Sequence, residues 1–152
     1  MIETFDLSFL DLRSMLNAIN QNEKGIHGLI KNGYSSYNQG RPILEDPNLF
    51  GLKTIIQKNL NDYTQKRMKI INSWFNVTYP GGILKKHKHE ESILSGAFYV
   101  KVGKESTPLL FEHTKINPRN GLLVIFPSTM LHHTEEETEE RIVVSFNANY
   151  RK

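Results

Sequence analysis

Two histidines separated by a single residue, His87 and His89, are the side chains of this sequence best suited to chemistry. They precede an apolar segment that has the alternation of a β-strand. Residues i and i+2 of a strand point to the same face, so both imidazoles can converge on one point. A third histidine from a distant strand would complete a metal site, and His132, which follows the apolar run 121–127, is the natural candidate.

The composition restricts what else could hold such a metal. The chain has no cysteine, which excludes disulfides and thiolate ligands, so the ligands must be nitrogen and oxygen atoms. The alternative interpretation of the histidine pair is an exposed basic turn, because Lys85, Lys86 and Lys88 surround it. The net charge of +3 is too small to indicate nucleic-acid binding. No segment resembles a signal peptide or a membrane span, so we expect a cytoplasmic protein, in the host cytoplasm if a phage encodes it.

The elements that must position these residues follow from the spacing of apolar side chains. A chain of 152 residues predicts a single domain. Helical spacing predicts one helix from about Ser8 to Asn20 and a second that begins at Asp46-Pro47. The segment between them is predicted to be a loop with a short strand near 33–37. From residue 69 the period changes to two, and strands are predicted at 70–79, 93–102, 109–112, 122–126 and 141–147.

Short strands with no helix between them indicate an antiparallel sandwich or barrel. We therefore predict a helical N-terminal region over residues 1–68 that packs on a β-core over residues 69–152. Tyr79-Pro80-Gly81-Gly82 is predicted to end the first core strand in a turn. The glutamate-rich run 135–140 is predicted to be a solvated loop.

The order of these features resembles that of the 2-oxoglutarate/Fe(II)-dependent oxygenases. A histidine pair, intervening strands, a distal histidine and an arginine about one strand later follow one another in that family. The chain looks most like small phage-type oxygenases related to prolyl hydroxylases. The resemblance covers about residues 70–149, and its motifs are Trp74-Phe75-Asn76, 94–99, Phe126-Pro127-Ser128 and 141–147. It implies a mainly β fold, the double-stranded β-helix, which is a jelly-roll, cupin-like barrel.

The resemblance also implies an activity and a set of site residues. The expected protein is a dioxygenase that uses Fe(II), O₂ and 2-oxoglutarate, converts the latter to succinate and CO₂, and hydroxylates a peptide, a protein or a small molecule. A prolyl-hydroxylase likeness favours the peptide or protein. His87, His89 and His132 would hold the metal, and Arg141 would donate two hydrogen bonds to the distal carboxylate of 2-oxoglutarate. Tyr79, Tyr99 and Asn76 are further candidates for cosubstrate binding. Tyr79 and Asn76 have opposite strand parity, so without a bulge at most one points into the barrel.

Two departures from the family pattern leave alternatives open. The usual middle ligand is a carboxylate, whereas the motif position here is His89, so either the site has three histidines or Glu90 or Glu91 reaches the metal. Many relatives carry a serine where this chain has Val143. His133 competes with its neighbour His132, but it would face the opposite way on a strand.

Two other functions fit parts of the sequence. A metal-binding cupin without 2-oxoglutarate shares the jelly roll, and the spacings from Gly81 to the histidine pair and from Gly121 to His132 match its motifs. The glutamate that cupins carry after the pair is missing, since Ile93 and Leu94 stand there, and Arg141 would have no particular role. A non-enzymatic β-sandwich binding module is the third possibility.

Overall fold

Two α-helices and nine β-strands make up the fold in the computed structural model, which describes residues 1–152. In chain order they are β1 (Glu3–Asp6), α1 (Leu12–Asn20), β2 (Ile30–Ser35), α2 (Phe50–Thr64), β3 (Met68–Leu84), β4 (Leu94–Lys101), β5 (Leu109–Phe111), β6 (Lys115–Ile116), β7 (Leu122–Pro127), β8 (His132–His133) and β9 (Arg141–Tyr150). Asp46 accepts a hydrogen bond from the backbone N–H of Asn48 and caps a 3₁₀ turn, Pro47–Leu49, that leads directly into α2.

Two antiparallel sheets face each other. The large sheet has six strands in the order β1-β7-β4-β9-β3-β2, and the small sheet has the order β6-β5-β8. A bridge between His87 and His132 joins the segment after β3 to β8 and so extends the small sheet. This is the arrangement of a double-stranded β-helix, as predicted.

Both faces of the large sheet are covered. On one face the two helices bury Ile19, Leu52, Ile56 and Leu60 against sheet residues such as Phe75 and Val144, within one cluster of 22 buried apolar side chains. On the other face a cluster of eight, which includes Tyr99, Phe126 and Val143, fills the space towards the small sheet. Alternate residues of β9 therefore separate as predicted, with Ile142 and Val144 towards the helices and Val143 towards the small sheet.

The N-terminal region is not only helical, because it also contributes two strands to the large sheet. β1 pairs with β7 at one edge of the large sheet, and β2 pairs with β3 at the other. Both are edge strands with mostly exposed residues, so neither carries the apolar alternation that marks a half-buried strand. None of the helices is long and apolar enough to cross a membrane.

The predicted turn at Tyr79-Pro80-Gly81-Gly82 is wrong, because β3 continues through it as a bulge. Lys31 pairs with Ile83 and Gly33 with Thr78, so residues 79–82 lie opposite one residue of β2. Gly81 has φ of +84°, and a Cβ on Gly82 would lie 2.7 Å from the carbonyl oxygen of Lys31. Glycine meets both demands. The bulge also binds a distant loop, since the Gly81 N–H donates to the Glu137 carbonyl and the Glu137 N–H donates to the Gly82 carbonyl.

Candidate active site

A cavity of about 260 Å³ lies between the two sheets. Trp74, Asn76 and Thr78 line it from β3, Tyr99 from β4, and Arg141, Val143 and Ser145 from β9. His87, His89 and His132 line its opposite side. The core strands therefore place polar side chains in a cavity whose remaining walls are apolar, which is typical of a ligand site.

The three predicted histidines converge in this cavity. One ring nitrogen from each of His87, His89 and His132 lies within 4.8 Å of the others, and no carboxylate belongs to this group. The ring centroids of His87 and His132 are 4.2 Å apart, and that of His89 is 5.0 Å from His87. Three imidazoles at this separation can share one metal ion.

Backbone hydrogen bonds fix the segments that carry these side chains. His87 and His132 exchange two backbone bonds, at 3.0 and 2.9 Å, across the bridge between their segments. The His89 N–H donates to the carbonyl of Ser128 at 2.8 Å. Ser128 is itself fully buried and its hydroxyl bonds to those of Ser92 and Ser95. Backbone hydrogen bonds to His132 and Ser128 therefore fix the loop that carries His87 and His89.

The ring orientation of two histidines is already set for metal binding. The Nδ1 atom of His87 lies 2.7 Å from the carbonyl oxygen of Lys85, and that of His132 lies 2.9 Å from the carbonyl oxygen of Met130. A carbonyl can only accept, so the proton sits on Nδ1 in both rings. The lone pair is then on Nε2, which is the state that a metal requires.

Burial favours the neutral state of the same rings. It lowers the pKa of His132 to about 3, with the neighbouring His87 adding to the effect. Burial also lowers the pKa of His87 and of His89. A neutral imidazole is the metal-binding form, so the three rings are ready for a cation at neutral pH.

Arg141 lies in the same cavity and has N–H groups without hydrogen-bond partners. Its side chain is only 4% exposed, and Nη2 donates to Thr134 Oγ1 at 3.3 Å. Nη1 lies 3.1 Å from Glu137 Oε2, which is an ion-pair distance. Neither Nε nor Nη1 forms a hydrogen bond, so the Glu137 contact is electrostatic only. Buried charged donors without partners are rare in native proteins and indicate a ligand that completes them.

Two of the three secondary candidates line the cavity and one does not. Asn76 faces inward, and its buried Oδ1 has no hydrogen-bond partner. Tyr99 is buried beside Arg141, and burial raises the pKa of Tyr99 to about 12, so it is a neutral phenol. Tyr79 is not among the lining residues and packs its ring edge against Tyr34, next to the helix-side cluster. We therefore remove Tyr79 from the candidates.

The alternative metal ligands lie away from the cluster or are exposed. Glu90 pairs with Lys88 at 3.0 Å and is largely exposed. Glu91 Oε1 is 3.7 Å from His89 Nδ1, so it neighbours one ligand without joining the group. His133 pairs with Leu110 on the small sheet and does not line the cavity.

Two features of the site were missed by sequence reasoning. No sequence motif includes His27, yet it lines the cavity with Tyr37, their ring centroids 5.2 Å apart. Tyr37 in turn contacts Trp74 edge to face. Glu137 belongs to the run predicted to be solvated, but it is only 3% exposed and contacts Arg141.

One segment of the chain matches the sequence model of a known protein family. Residues 72–116 match the family model described as "Putative 2OG-Fe(II) oxygenase". Less than a third of the chain is therefore similar in sequence to the 2OG-Fe(II) oxygenases. The matched segment contains His87 and His89 and ends before His132. The match favours an oxygenase over the cupin and the binding module, while the finer likeness to phage-type proteins stays a prediction.

Several solved structures share the fold of this chain. The chain superposes on the viral collagen prolyl hydroxylase of Paramecium Bursaria Chlorella virus-1, solved as its 2OG complex, with a TM-score of 0.74 and 17% identity over 97% of this chain and 94% of that one. For a Pseudomonas putida prolyl-4-hydroxylase the TM-score is 0.66 at 13% identity, over 99% and 92% of the chains.

A third structure, HygX from Streptomyces hygroscopicus with nickel and 2-oxoglutarate bound, has a TM-score of 0.75 at 8% identity, over 98% and 82% of the chains. At these identities the likeness shows a shared fold. No curated protein matches this chain by sequence.

Proposed function

We propose that His87, His89 and His132 hold the Fe(II) of this oxygenase and that Arg141 binds the distal carboxylate of 2-oxoglutarate. The observation that carries the proposal is the pairing of two incomplete groups across one cavity. Three neutral imidazoles with ligand atoms within 4.8 Å of one another lack a cation. A buried guanidinium with two nitrogen atoms free of hydrogen bonds lacks an acceptor for those donors. A metal chelated by a dicarboxylic acid would satisfy both.

We further propose that the middle ligand is the imidazole of His89. The two glutamates that follow it are more than half exposed and are not part of the ligand group. Three nitrogen ligands on one side of the ion would leave positions on its other side for 2-oxoglutarate and O₂. Neutral imidazole offsets none of the charge of the ion, so this site is more positive than one with a carboxylate ligand.

The residues of the chain have separate roles in this scheme. With 2-oxoglutarate and O₂, a ferrous ion supplies the oxidising chemistry that converts 2-oxoglutarate to succinate and CO₂ and hydroxylates a substrate. The carbonyls of Lys85 and Met130 keep two imidazoles in the ligating tautomer. Arg141 fixes the far end of the cosubstrate, and Asn76 offers an unpaired amide oxygen inside the cavity. The apolar walls from Phe126 and Val143 exclude water.

For the substrate we propose a side chain of a peptide or protein. The viral collagen prolyl hydroxylase and the Pseudomonas putida enzyme are prolyl hydroxylases by name, and they share most of their length with this chain. The aromatic wall of His27, Tyr37 and Trp74 adjoins His89, whose ring centroid is 5.8 Å from that of Trp74. Such a wall suits an apolar side chain presented next to the metal.

The lack of cysteine supports a cytoplasmic location.

A direct test combines binding with turnover. Under anaerobic conditions with Mn(II) in place of Fe(II), 2-oxoglutarate should bind at one equivalent per chain and only when the metal is present. With Fe(II) and O₂, a proline-containing peptide library should accelerate succinate formation, and the modified peptide should gain the mass of one oxygen atom. Metal-independent 2-oxoglutarate binding would contradict the site. Stimulation by small molecules but by no peptide would contradict the substrate class.

A further inference from the structure

Glu137 is the one buried carboxylate that contacts the proposed cosubstrate arginine. We infer that Glu137 is a fixed counter-charge: it neutralises Arg141 while the cosubstrate is absent and lowers the affinity of the site for 2-oxoglutarate. The inference rests on the proposed function. It adds a residue that acts on the cosubstrate through Arg141 and touches neither metal nor substrate.

The fixed position of Glu137 follows from its other contacts. Oε1 accepts from the backbone N–H groups of Thr107 and Thr138 at 3.1 and 3.0 Å. Oε2 accepts from the hydroxyl of Ser106 at 2.9 Å. The backbone of Glu137 is tied to the β3 bulge by both its N–H and its carbonyl. These bonds hold the carboxylate in place without any help from Arg141.

The contact with Arg141 has a different character. Nη1 of Arg141 approaches Oε2 to 3.1 Å but forms no hydrogen bond there. Glu137 therefore balances the charge of the guanidinium without using its donors. The side chain of Glu137 is fully buried and that of Arg141 is 4% exposed, so solvent screens the pair little.

A buried arginine needs a counter-charge from the protein while its anionic ligand is not bound. An uncompensated buried charge strongly destabilises the folded state. Glu137 removes that cost in the empty enzyme and accepts no hydrogen bond from Nε or Nη1, so donors on either edge of the guanidinium stay available to a carboxylate. Once 2-oxoglutarate is bound, two carboxylates flank one guanidinium, and their repulsion weakens binding.

The charges of the whole cavity fit this role. With three neutral imidazoles, a ferrous ion and Arg141 together carry one positive charge more than 2-oxoglutarate can offset. Glu137 supplies that missing negative charge, which in a site with a carboxylate ligand would come from the metal end. In this enzyme the balancing charge lies at the opposite end of the cavity.

The test is Glu137→Gln, which keeps the shape of the side chain and an oxygen acceptor but removes the charge. Two quantities should move in opposite directions. The metal-free protein should unfold at lower urea concentration, because Arg141 loses its counter-charge. The affinity for 2-oxoglutarate, titrated with Mn(II) under anaerobic conditions, should rise about tenfold or more. A merely structural role would lower both quantities, and that result would overturn the inference.

Glu140→Gln is the matched control. The same chemical change is made three residues away, at a glutamate that pairs with Lys101 at 2.7 Å on the surface. Exposed pairs contribute little, so stability and affinity should both stay close to wild type. An equal gain of 2-oxoglutarate affinity in this control would mean that general charge, and not Glu137, sets the affinity.

A second variant covers the case in which Glu137→Gln does not fold. Combining it with Arg141→Gln removes both charges and should restore folding, whereas continued failure to fold would overturn the counter-charge role. The stability arm needs no ligand. If wild type binds no 2-oxoglutarate, the proposed function fails, and unfolding of the single and double variants still tests the pairing.

Discussion

Replacing Arg141 by lysine tests the cosubstrate end of the site while keeping its charge. Arg141 has two nitrogen atoms, Nε and Nη1, that form no hydrogen bond in the folded chain. A carboxylate can accept from two neighbouring N–H groups of a guanidinium, Nε with Nη2 or Nη1 with Nη2, whereas the ammonium of lysine is a point charge that cannot present two parallel donors. The variant therefore loses one charge-assisted hydrogen bond, which costs about 1.5 to 3 kcal/mol, or about ten- to a hundredfold in 2-oxoglutarate affinity.

The stability of Arg141→Lys should fall by less than the loss in a broken buried pair, which is about 3 to 5 kcal/mol. The lysine keeps a positive charge near Glu137, and that carboxylate retains its three other donors. Calorimetric titration with 2-oxoglutarate and Mn(II) gives the affinity, and titration with Mn(II) alone should give the wild-type value. Arg41→Lys, at a half-exposed arginine that pairs with Asp46, is the control and should change neither. Unaltered 2-oxoglutarate affinity in Arg141→Lys would refute the assigned role.

Three further predictions concern pH, the glycines and the core. Burial lowers the pKa of His132 to about 3, so below about pH 6.5 the unfolded chain binds a proton that the folded chain does not. In urea unfolding of the metal-free protein, this residue should lower the free energy of unfolding by about 2 kcal/mol by pH 5. A free energy of unfolding that does not change at acid pH would contradict the burial of His132. Gly82→Ala should destabilise the fold, because its Cβ would lie 2.7 Å from two backbone oxygens. Gly51→Ala, in open space on α2, should stabilise the fold by about 0.4 to 1 kcal/mol. Thermal unfolding in which Gly82→Ala is the more stable of the two variants would refute the bulge. Leu60→Ala, at a fully buried position of α2, should cost about 2 to 5 kcal/mol in urea unfolding, and a cost below 1 kcal/mol would show that α2 does not pack as described.

The features that the sequence predicted well are those with a local period. Alternation over residues 141–147 put Arg141 and Val143 on the inner face because a strand repeats every two residues. The same rule brought His87 and His89 to one site, although these residues follow β3 and are joined to the small sheet through a bridge. The third ligand needed the family resemblance as well, since parity alone separates His132 from His133 without choosing between them.

The features that were missed depend on partners far away in the chain. Pro80-Gly81-Gly82 has the composition of a turn, and only the hydrogen bonds with Glu137 and the pairing with β2 make it a bulge. Glu137 lies among exposed glutamates, and its burial results from donors at Ser106 and Thr107. His27 reaches the cavity through the path of the segment before β2. No local pattern encodes these contacts.

The most direct test of the account is the stoichiometry and affinity of Fe(II) or Mn(II) in wild type and in single histidine variants. The wild-type chain should bind one ion, and His87→Ala, His89→Ala and His132→Ala should each abolish stoichiometric binding while circular dichroism shows the fold retained. His133→Ala, a change of the same kind next to the site, should bind the ion as wild type does, because His133 does not line the cavity. Full metal affinity in His132→Ala with loss in His133→Ala, or a wild-type chain that binds no divalent metal, would contradict the three-histidine site.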